Sequence, residues 1–157
     1  MELGLKNKAV IVTGGGSNIG RAIVLAFARE GAKITLGDID AAQAAVVAEE
    51  ARQAGAAAVQ VATCDVTDMA QVEAMFKQTV DAYGTVDVLV NNVGWDKLMF
   101  FTQTTPDLWE KIIRVNFVGM LNCTYTALKI MAPNNKGAIV SISSDASRQG
   151  EPREAVY

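Results

Sequence analysis

Five short apolar runs punctuate the chain: AVIVT (Ala9 to Thr13), KITLGD (Lys33 to Asp38), AVQVATCD (Ala58 to Asp65), VDVLVNN (Val86 to Asn92) and GAIVSIS (Gly137 to Ser143). Runs this short and this continuously apolar predict buried strands, and their near absence of alternation suits a parallel sheet covered on both faces. The segments between them have helical period. Asn18 to Gly31 places Ile19, Ala22, Ile23, Ala26 and Phe27 on one face, with Gly31 available for a left-handed stop. Asp40 to Ala54, closed by Gly55, is alanine-rich with charges on one side. Asp68 to Tyr83, closed by Gly84, spaces Val72, Met75, Phe76 and Val80 at helical intervals. A fourth helix opens at Thr105 as cap and Pro106 as first helical residue, with Asp107 and Glu110 near the positive end of the dipole. It is expected to run to about Met131, where APNNKG breaks it. Strands alternating with crossover helices predict right-handed βαβ units, hence an α/β fold with a doubly wound parallel sheet and helices on both faces. Residues 1–157 read as a single domain without repeat, linker or low-complexity tract.

Composition narrows the chemistry more than the fold. Half of the 157 residues are hydrophobic, a fifth are charged and the net charge is −3, which is the balance of a folded globular domain. No stripe of Lys or Arg exists to neutralise phosphates along a duplex, so nucleic acid is not an expected partner. No apolar run approaches the ~20 residues that span a bilayer, and the first residues carry no signal segment, so the expected location is cytoplasmic. Cys64 and Cys123 each stand alone in an apolar stretch and read as buried thiols. The chain has no His, which removes histidine-based triads and the commonest zinc and haem sites; no metal is expected. Proton chemistry falls to Tyr, Lys, Asp, Glu, Ser or Cys.

The first strand runs directly into VTGGGSNIG, which opens the first helix. Glycines there allow a tight turn and let backbone N–H groups approach a pyrophosphate at the helix N-terminus. A glycine cluster alone is as well explained by a plain turn, and Asp38 alone by a solvated strand end. Together, strand, loop, helix and an acidic residue eighteen positions beyond Gly20 form a dinucleotide site. Asp38 can accept both ribose hydroxyl protons of an adenosine and repels a 2′-phosphate, so the expected cofactor is NAD. The candidate contacts are Thr13, Gly14, Gly16, Ser17, Asn18, Ile19, Gly20, Asp38 and Ile39.

The loop resembles the Thr-Gly-x-x-x-Gly-x-Gly pattern of the short-chain dehydrogenase/reductase family, matched at Thr13, Gly14 and Gly20. Asn18 stands where the pattern has its middle glycine, and Asn tolerates positive φ better than most residues. The resemblance continues in order along the whole chain, and it implies a Rossmann-type sheet of seven strands, five of them present here. CDVT resembles the adenine-flanking segment and implies that Cys64, Asp65 and Val66 lie beside the base. NNVG resembles Asn-Asn-Ala-Gly, which braces the central strand and lines the cofactor; this implicates Asn91, Asn92, Val93 and Gly94. VNFVG carries the family's catalytic asparagine at Asn116, SISS its serine at Ser144, and the final residue, Tyr157, stands at its tyrosine. In such a site Tyr157 takes the alcohol proton, Ser144 hydrogen-bonds the substrate oxygen, and Asn116 helps order a water chain. Tyrosine has an ordinary pKa of about 10, so nearby positive charge must stabilise its phenolate. In the family a lysine four residues further on supplies that charge, with the oxidised nicotinamide. The expectation is that these residues form the N-terminal portion of a chain of ~250. On that expectation the 157-residue piece alone lacks turnover.

Two stretches, NNVGWDKLMFFTQTTPDLWEKII and SISSDASRQGEPREAVY, are similar to the 2-hydroxycyclohexanecarboxyl-CoA dehydrogenase group within that family. The match rests on Trp95, Asp96, Asp145, Ala146, Arg148, Gly150, Glu154, Ala155 and Val156. It implies oxidation of a β-hydroxyacyl-CoA thioester to a β-ketoacyl-CoA, with Trp95, Asp145, Arg148 and Arg153 as substrate contacts. Trp95, Leu98, Met99 and Phe100 suit an apolar ring; Arg148 and Arg153 suit a carboxylate or a CoA phosphate. A benzylsuccinate-pathway hydroxyacyl-CoA or a free cyclic alcohol are alternative substrates, and a non-catalytic dinucleotide-binding subunit is an alternative role. The family resemblance also implies a homodimer or homotetramer, with Trp109 and Ile113 on the helix face that assembles.

Overall fold

The computed structural model describes residues 3–157. All five strands form and lie parallel in one sheet: β1 (Ala9–Thr13), β2 (Lys33–Asp38), β3 (Ala58–Thr63), β4 (Val88–Asn91) and β5 (Ala138–Ser141), in the order β3-β2-β1-β4-β5. The last three are shorter than their apolar runs. Val86 and Cys64 are buried beyond the ends of the hydrogen-bonded ladder, so apolarity there reflects the core and not strand pairing.

Crossover helices α1 (Asn18–Arg29), α2 (Ala41–Gln53) and α3 (Met69–Tyr83) start and stop where local chemistry dictates. Asp40 Oδ1 accepts the N–H groups of Ala42 and Gln43, and Asp68 Oδ1 those of Ala70 and Gln71, satisfying donors that have no partner inside the helix. Gly84 closes α3 in the left-handed conformation at φ 84°.

Residues of β1 divide the core between the two faces of the sheet. Val10 and Val12 point to one side with Val24, Ala28, Ile34, Leu36, Ala44 and Val47, under α1 and α2. Ile11 points to the other with Leu89, Val72, Met75, Phe76, Cys123 and Ala127, under α3 and the helical segment that ends at Met131. The sheet is therefore covered on both faces over β1, β2 and β4. β3 is only half-buried for most of its length, and β5 departs from the buried strand predicted: Ala138, Val140 and Ser141 are exposed at the sheet edge.

Two further sequence expectations are corrected. The buried line of α1 is Gly20, Val24 and Ala28, whereas Ile19 is 61% exposed, Ala22 and Ala26 are exposed, and Ile23 and Phe27 are half-buried. The helix is apolar on most sides, so periodicity cannot fix its rotation; the close approach of Gly20 to the carbonyl of Gly14 does. The helix beginning at Pro106 is not continuous. It consists of α4 (Pro106–Ile113), a π turn (Arg114–Val118) and α5 (Gly119–Met131). The cause lies at Asn116, whose side-chain Nδ2 donates to the carbonyl of Ile112 at 2.8 Å. Single π turns of this kind recur at functional positions.

Candidate active site

The strand order reverses between β1, which leads to β2 on one side, and β4, which lies on the other. Crevices at the carboxyl ends of such a pair are where ligands bind in doubly wound sheets. A cleft of about 1150 Å³ opens there, with Gly14, Ser17, Asn18, Ile19, Gly20, Asp38 and Ile39 at one end. Cys64, Asp65, Val66, Asn92, Val93 and Gly94 follow along its floor, and Trp95, Asn116, Ser144 and Tyr157 line the other end.

The glycine loop is fixed by hydrogen bonds that stitch β1 to β4. Thr13 Oγ1 donates to the Val90 carbonyl at 3.3 Å and accepts the Asn92 N–H at 3.0 Å. Asn92 Nδ2 donates to the carbonyls of Thr13 and Gly14, at 3.1 and 3.0 Å. Thr13 is thus buried beneath the cleft, as a brace. Gly14 and Asn18 adopt positive φ, 62° and 46°, and Asn18 takes the left-handed turn expected of it. A Cβ on Gly16 would stand 2.8 Å from Asp38 Oδ2, and one on Gly20 would stand 1.9 Å from the Gly14 carbonyl. Gly16, expected as a cofactor contact, is instead buried outside the cleft lining with its N–H on Asp38; the bare backbone that opens on the cleft at the N-terminus of α1 is that of Gly14 and Ser17 to Gly20, and it fits a pyrophosphate.

Asp38 is held by the loop that it complements. Its Oδ2 accepts the Gly16 N–H at 2.8 Å and its Oδ1 the Asp40 N–H at 3.0 Å, which leaves one lone pair on each oxygen. Two free lone pairs at the cleft wall fit the two hydroxyls of a ribose.

At the far end Asn116 works through three bonds. Its Oδ1 accepts the Trp95 N–H at 2.9 Å, and its Nδ2 donates to the carbonyls of Trp95 at 2.7 Å and Ile112 at 2.8 Å. A Cβ on Gly94 would lie 3.2 Å from Asn116 Oδ1, a tight approach, and 4.0 Å from Tyr157 Oη, an ordinary contact, so Gly94 borders both groups and leaves room for the Asn116 amide. Ser144 Oγ accepts the Ala146 N–H at 3.2 Å, capping the turn Asp145–Ser147, and so keeps its own proton free for another acceptor. Both cysteines are buried. Burial first, then the charges of Asp65 and Asp68, pushes the Cys64 thiol up to about 11; burial and the neighbouring Cys64 push Cys123 up to about 12. Neither is a thiolate near neutrality.

The structure does not bring every expected contact to the cleft. Asp145, Arg148 and Arg153 are exposed outside its lining, as are Leu98 and Phe100, with Met99 half-buried. The Met99 N–H donates to the Arg153 carbonyl at 3.0 Å, so the two loops that carry these residues are joined through their backbones. Other groups take their place. Thr67, Val115, Ile142, Ser143 and Ser147 line the cleft, and so do Asp107, Glu110, Lys111 and Arg114 of α4 and its extension. These four charged residues stand at i, i+3, i+4 and i+7, one face of a helix, a spacing that was readable in the sequence. Trp109 turns away from them: its ring stacks on Phe101 at 5.6 Å and its Nε1 donates to Thr104 Oγ1 at 2.6 Å.

The family model of the short chain dehydrogenases matches residues 8–157. The chain is 34% identical over 144 residues to a (2S)-[(R)-hydroxy(phenyl)methyl]succinyl-CoA dehydrogenase subunit, BbsD, of Thauera aromatica, covering 92% of this chain and 58% of that protein. It is 33% identical over 153 residues to the 3-oxoacyl-[acyl-carrier-protein] reductase FabG of Thermotoga maritima, covering 98% of this chain and 62% of the relative. Glycine betaine reductase ATRR of Emericella nidulans is 39% identical over 158 residues, 98% of this chain and 12% of that much longer protein. The chain thus spans about three-fifths of BbsD and of FabG.

Proposed function

The chain belongs to the short chain dehydrogenase family, and on that premise we propose that it interconverts a secondary alcohol and a ketone with NAD, on a β-hydroxyacyl-CoA thioester bearing a cyclic or aromatic group. The observation that carries this reading is the placement of Asn116, Ser144 and Tyr157 in the same cleft as the glycine cradle and Asp38. The loop from Gly14 to Gly20 and the N-terminus of α1 would hold the pyrophosphate, Asp38 the adenosine ribose, and Asp65 and Val66 would flank the base. A bound NAD would supply the hydride acceptor for the carbinol carbon.

The protein's own residues handle the proton. Oxidation leaves the alcohol oxygen without its hydrogen, and Tyr157 Oη is the group that takes that proton. Ser144, with its Oγ fixed by the Ala146 N–H, donates its hydrogen to the same substrate oxygen and holds it toward Tyr157. Asn116 fixes the Gly94–Trp95 backbone that borders both groups. The thioester assignment draws on two supports: the Trp95–Asp96 and Asp145–Tyr157 stretches, and a relative whose name gives an aryl-substituted acyl-CoA as its substrate.

The test is NAD reduction by the full-length protein across cyclic, aromatic and straight-chain β-hydroxyacyl-CoA thioesters and free cyclic alcohols. NAD is expected to support turnover and NADP to be poor, with ring-bearing thioesters oxidised fastest. NAD binding without reduction of any substrate would instead indicate a dinucleotide-binding subunit, and a preference for NADP would overturn the role given to Asp38. Assembly belongs to the same proposal. Ile113, Phe117, Leu121, Tyr125 and Leu128 form an exposed apolar stripe along the π turn and α5, which supports a homodimer or homotetramer. Light scattering of the full-length protein is expected to give a dimer or tetramer, and a monomer at micromolar concentration rejects that part.

A further inference from the structure

Lys111 stands on the cleft face of α4 with its Nζ 3.9 Å from the centroid of the Trp95 ring, closer than either other ammonium that lies over an aromatic ring among the described residues. Its position gives it a choice. Asp107 is one turn earlier on the same face, the spacing at which carboxylate and ammonium ordinarily pair. Yet Lys111 takes part in no ion pair among the described residues and sits over the indole instead. Trp95 is constrained from the other side too, because Asn116 engages both its N–H and its carbonyl. Backbone and ring are therefore pinned by two residues five positions apart in the fold's long helical segment, and all three line the cleft that holds Ser144 and Tyr157.

We propose that Lys111 is a positioning residue that fixes the Trp95 indole as a wall of the substrate end of the cleft, and that the Lys111–Trp95 pair selects ring-bearing over straight-chain acyl groups. The inference rests on the hydroxyacyl thioester reading given above. A flat apolar surface held in one rotamer presents the same contact area to every substrate, and a planar or cyclic group meets it at little conformational cost. A flexible acyl chain must be ordered to do so. Without the cation the indole regains rotamer freedom, and the ring-bearing substrate loses its advantage while the reacting groups stay in place. Arginine also stacks on aromatic faces, so it is the conservative replacement.

Two measurements on the full-length protein test this. In the first, kcat/KM is compared for a cyclic and a straight-chain β-hydroxyacyl-CoA. Lys111→Met is expected to lower the cyclic-to-straight ratio by about threefold to thirtyfold, through KM for the cyclic substrate with kcat retained, and Lys111→Arg to restore most of it. In the second, protein labelled with 5-fluorotryptophan is followed by fluorine NMR, with the Trp95 resonance assigned by Trp95→Phe. That resonance is expected to shift and broaden in Lys111→Met and to remain sharp in Lys111→Arg. An unchanged ratio, or an equal loss of kcat for both substrates, overturns the proposal, as does a Trp95 resonance indifferent to Lys111→Met. If the protein oxidises none of the thioesters, the functional reading falls, and the resonance alone decides whether Lys111 holds Trp95.

Discussion

Replacing Tyr157 with Phe is expected to lower kcat of the full-length protein by a factor on the order of 10² to 10⁴, with NAD affinity and thermal stability essentially unchanged. The substitution removes one atom from the site. Tyr157 is 42% exposed and its Oη makes no hydrogen bond within the described protein, so the folded state loses little with it. What disappears is the group proposed to accept the carbinol proton, which lies beside Gly94. Phe keeps the ring and the packing of the cleft wall, so KM is expected to move little while kcat falls, the pattern of an interaction made in the transition state. Steady-state NADH formation gives kcat, and calorimetric titration with NAD gives the affinity. Retention of more than about a tenth of wild-type turnover would assign the proton to another group. Loss of NAD binding would instead make Tyr157 a cofactor ligand.

Most of what positions this site was legible because it is local. Asp40 and Asp68 announce helix starts by capping N–H groups two and three residues away, and Gly84 announces a stop through a backbone angle that side chains disfavour. Asn18 in the left-handed turn is of the same kind. What could not be read depends on contacts between segments distant in sequence. The rotation of α1 is set by Gly20 against Gly14 and Asn92, a condition absent from the periodicity of an almost uniformly apolar helix. The break in the helix after Ile113 follows from Asn116 turning back on Ile112 and across to Trp95. Asn116 was singled out from its motif, but its effect on the backbone needed the loop beside it. The charged face of α4 is an intermediate case. Its i, i+3, i+4, i+7 spacing is visible in the sequence, but Asp107 and Glu110 suit the helix dipole equally well, and nothing in the sequence shows which face meets a cleft. The arginines of the final loop drew notice by their charge, yet the loop's exit direction, set partly by the backbone bond from Met99 to Arg153, leaves them outside the lining.

Gly20→Ala is expected to damage stability and cofactor binding together, because one methyl group has nowhere to go. Its Cβ would stand 1.9 Å from the Gly14 carbonyl oxygen and 2.6 Å from Asn92 Nδ2. Neither neighbour can yield cheaply. Gly14 is tied through its N–H to the Gly37 carbonyl at 2.7 Å, and its φ of 62° leaves few other conformations for the turn. Asn92 is tied to the carbonyls of Thr13 and Gly14. Relief therefore requires α1 to lift off the sheet, or the Asn92 bonds to break, each bond worth about 1 kcal/mol. Overpacking of a tight site adds about 1–3 kcal/mol, so a total of about 2–4 kcal/mol is expected in urea unfolding. NAD affinity should fall by about hundredfold or more, since lifting α1 moves the N–H groups aimed at the pyrophosphate, and 1.4 kcal/mol is already tenfold. Gly150→Ala is the matched control: a Cβ there meets nothing within 4 Å, and the change in stability should stay within about 0.5 kcal/mol. A Gly20→Ala protein as stable as Gly150→Ala, or one that binds NAD as tightly, would show that the loop gives way where its hydrogen bonds say it cannot. The pyrophosphate cradle would then owe its shape to the ligand and not to the fold.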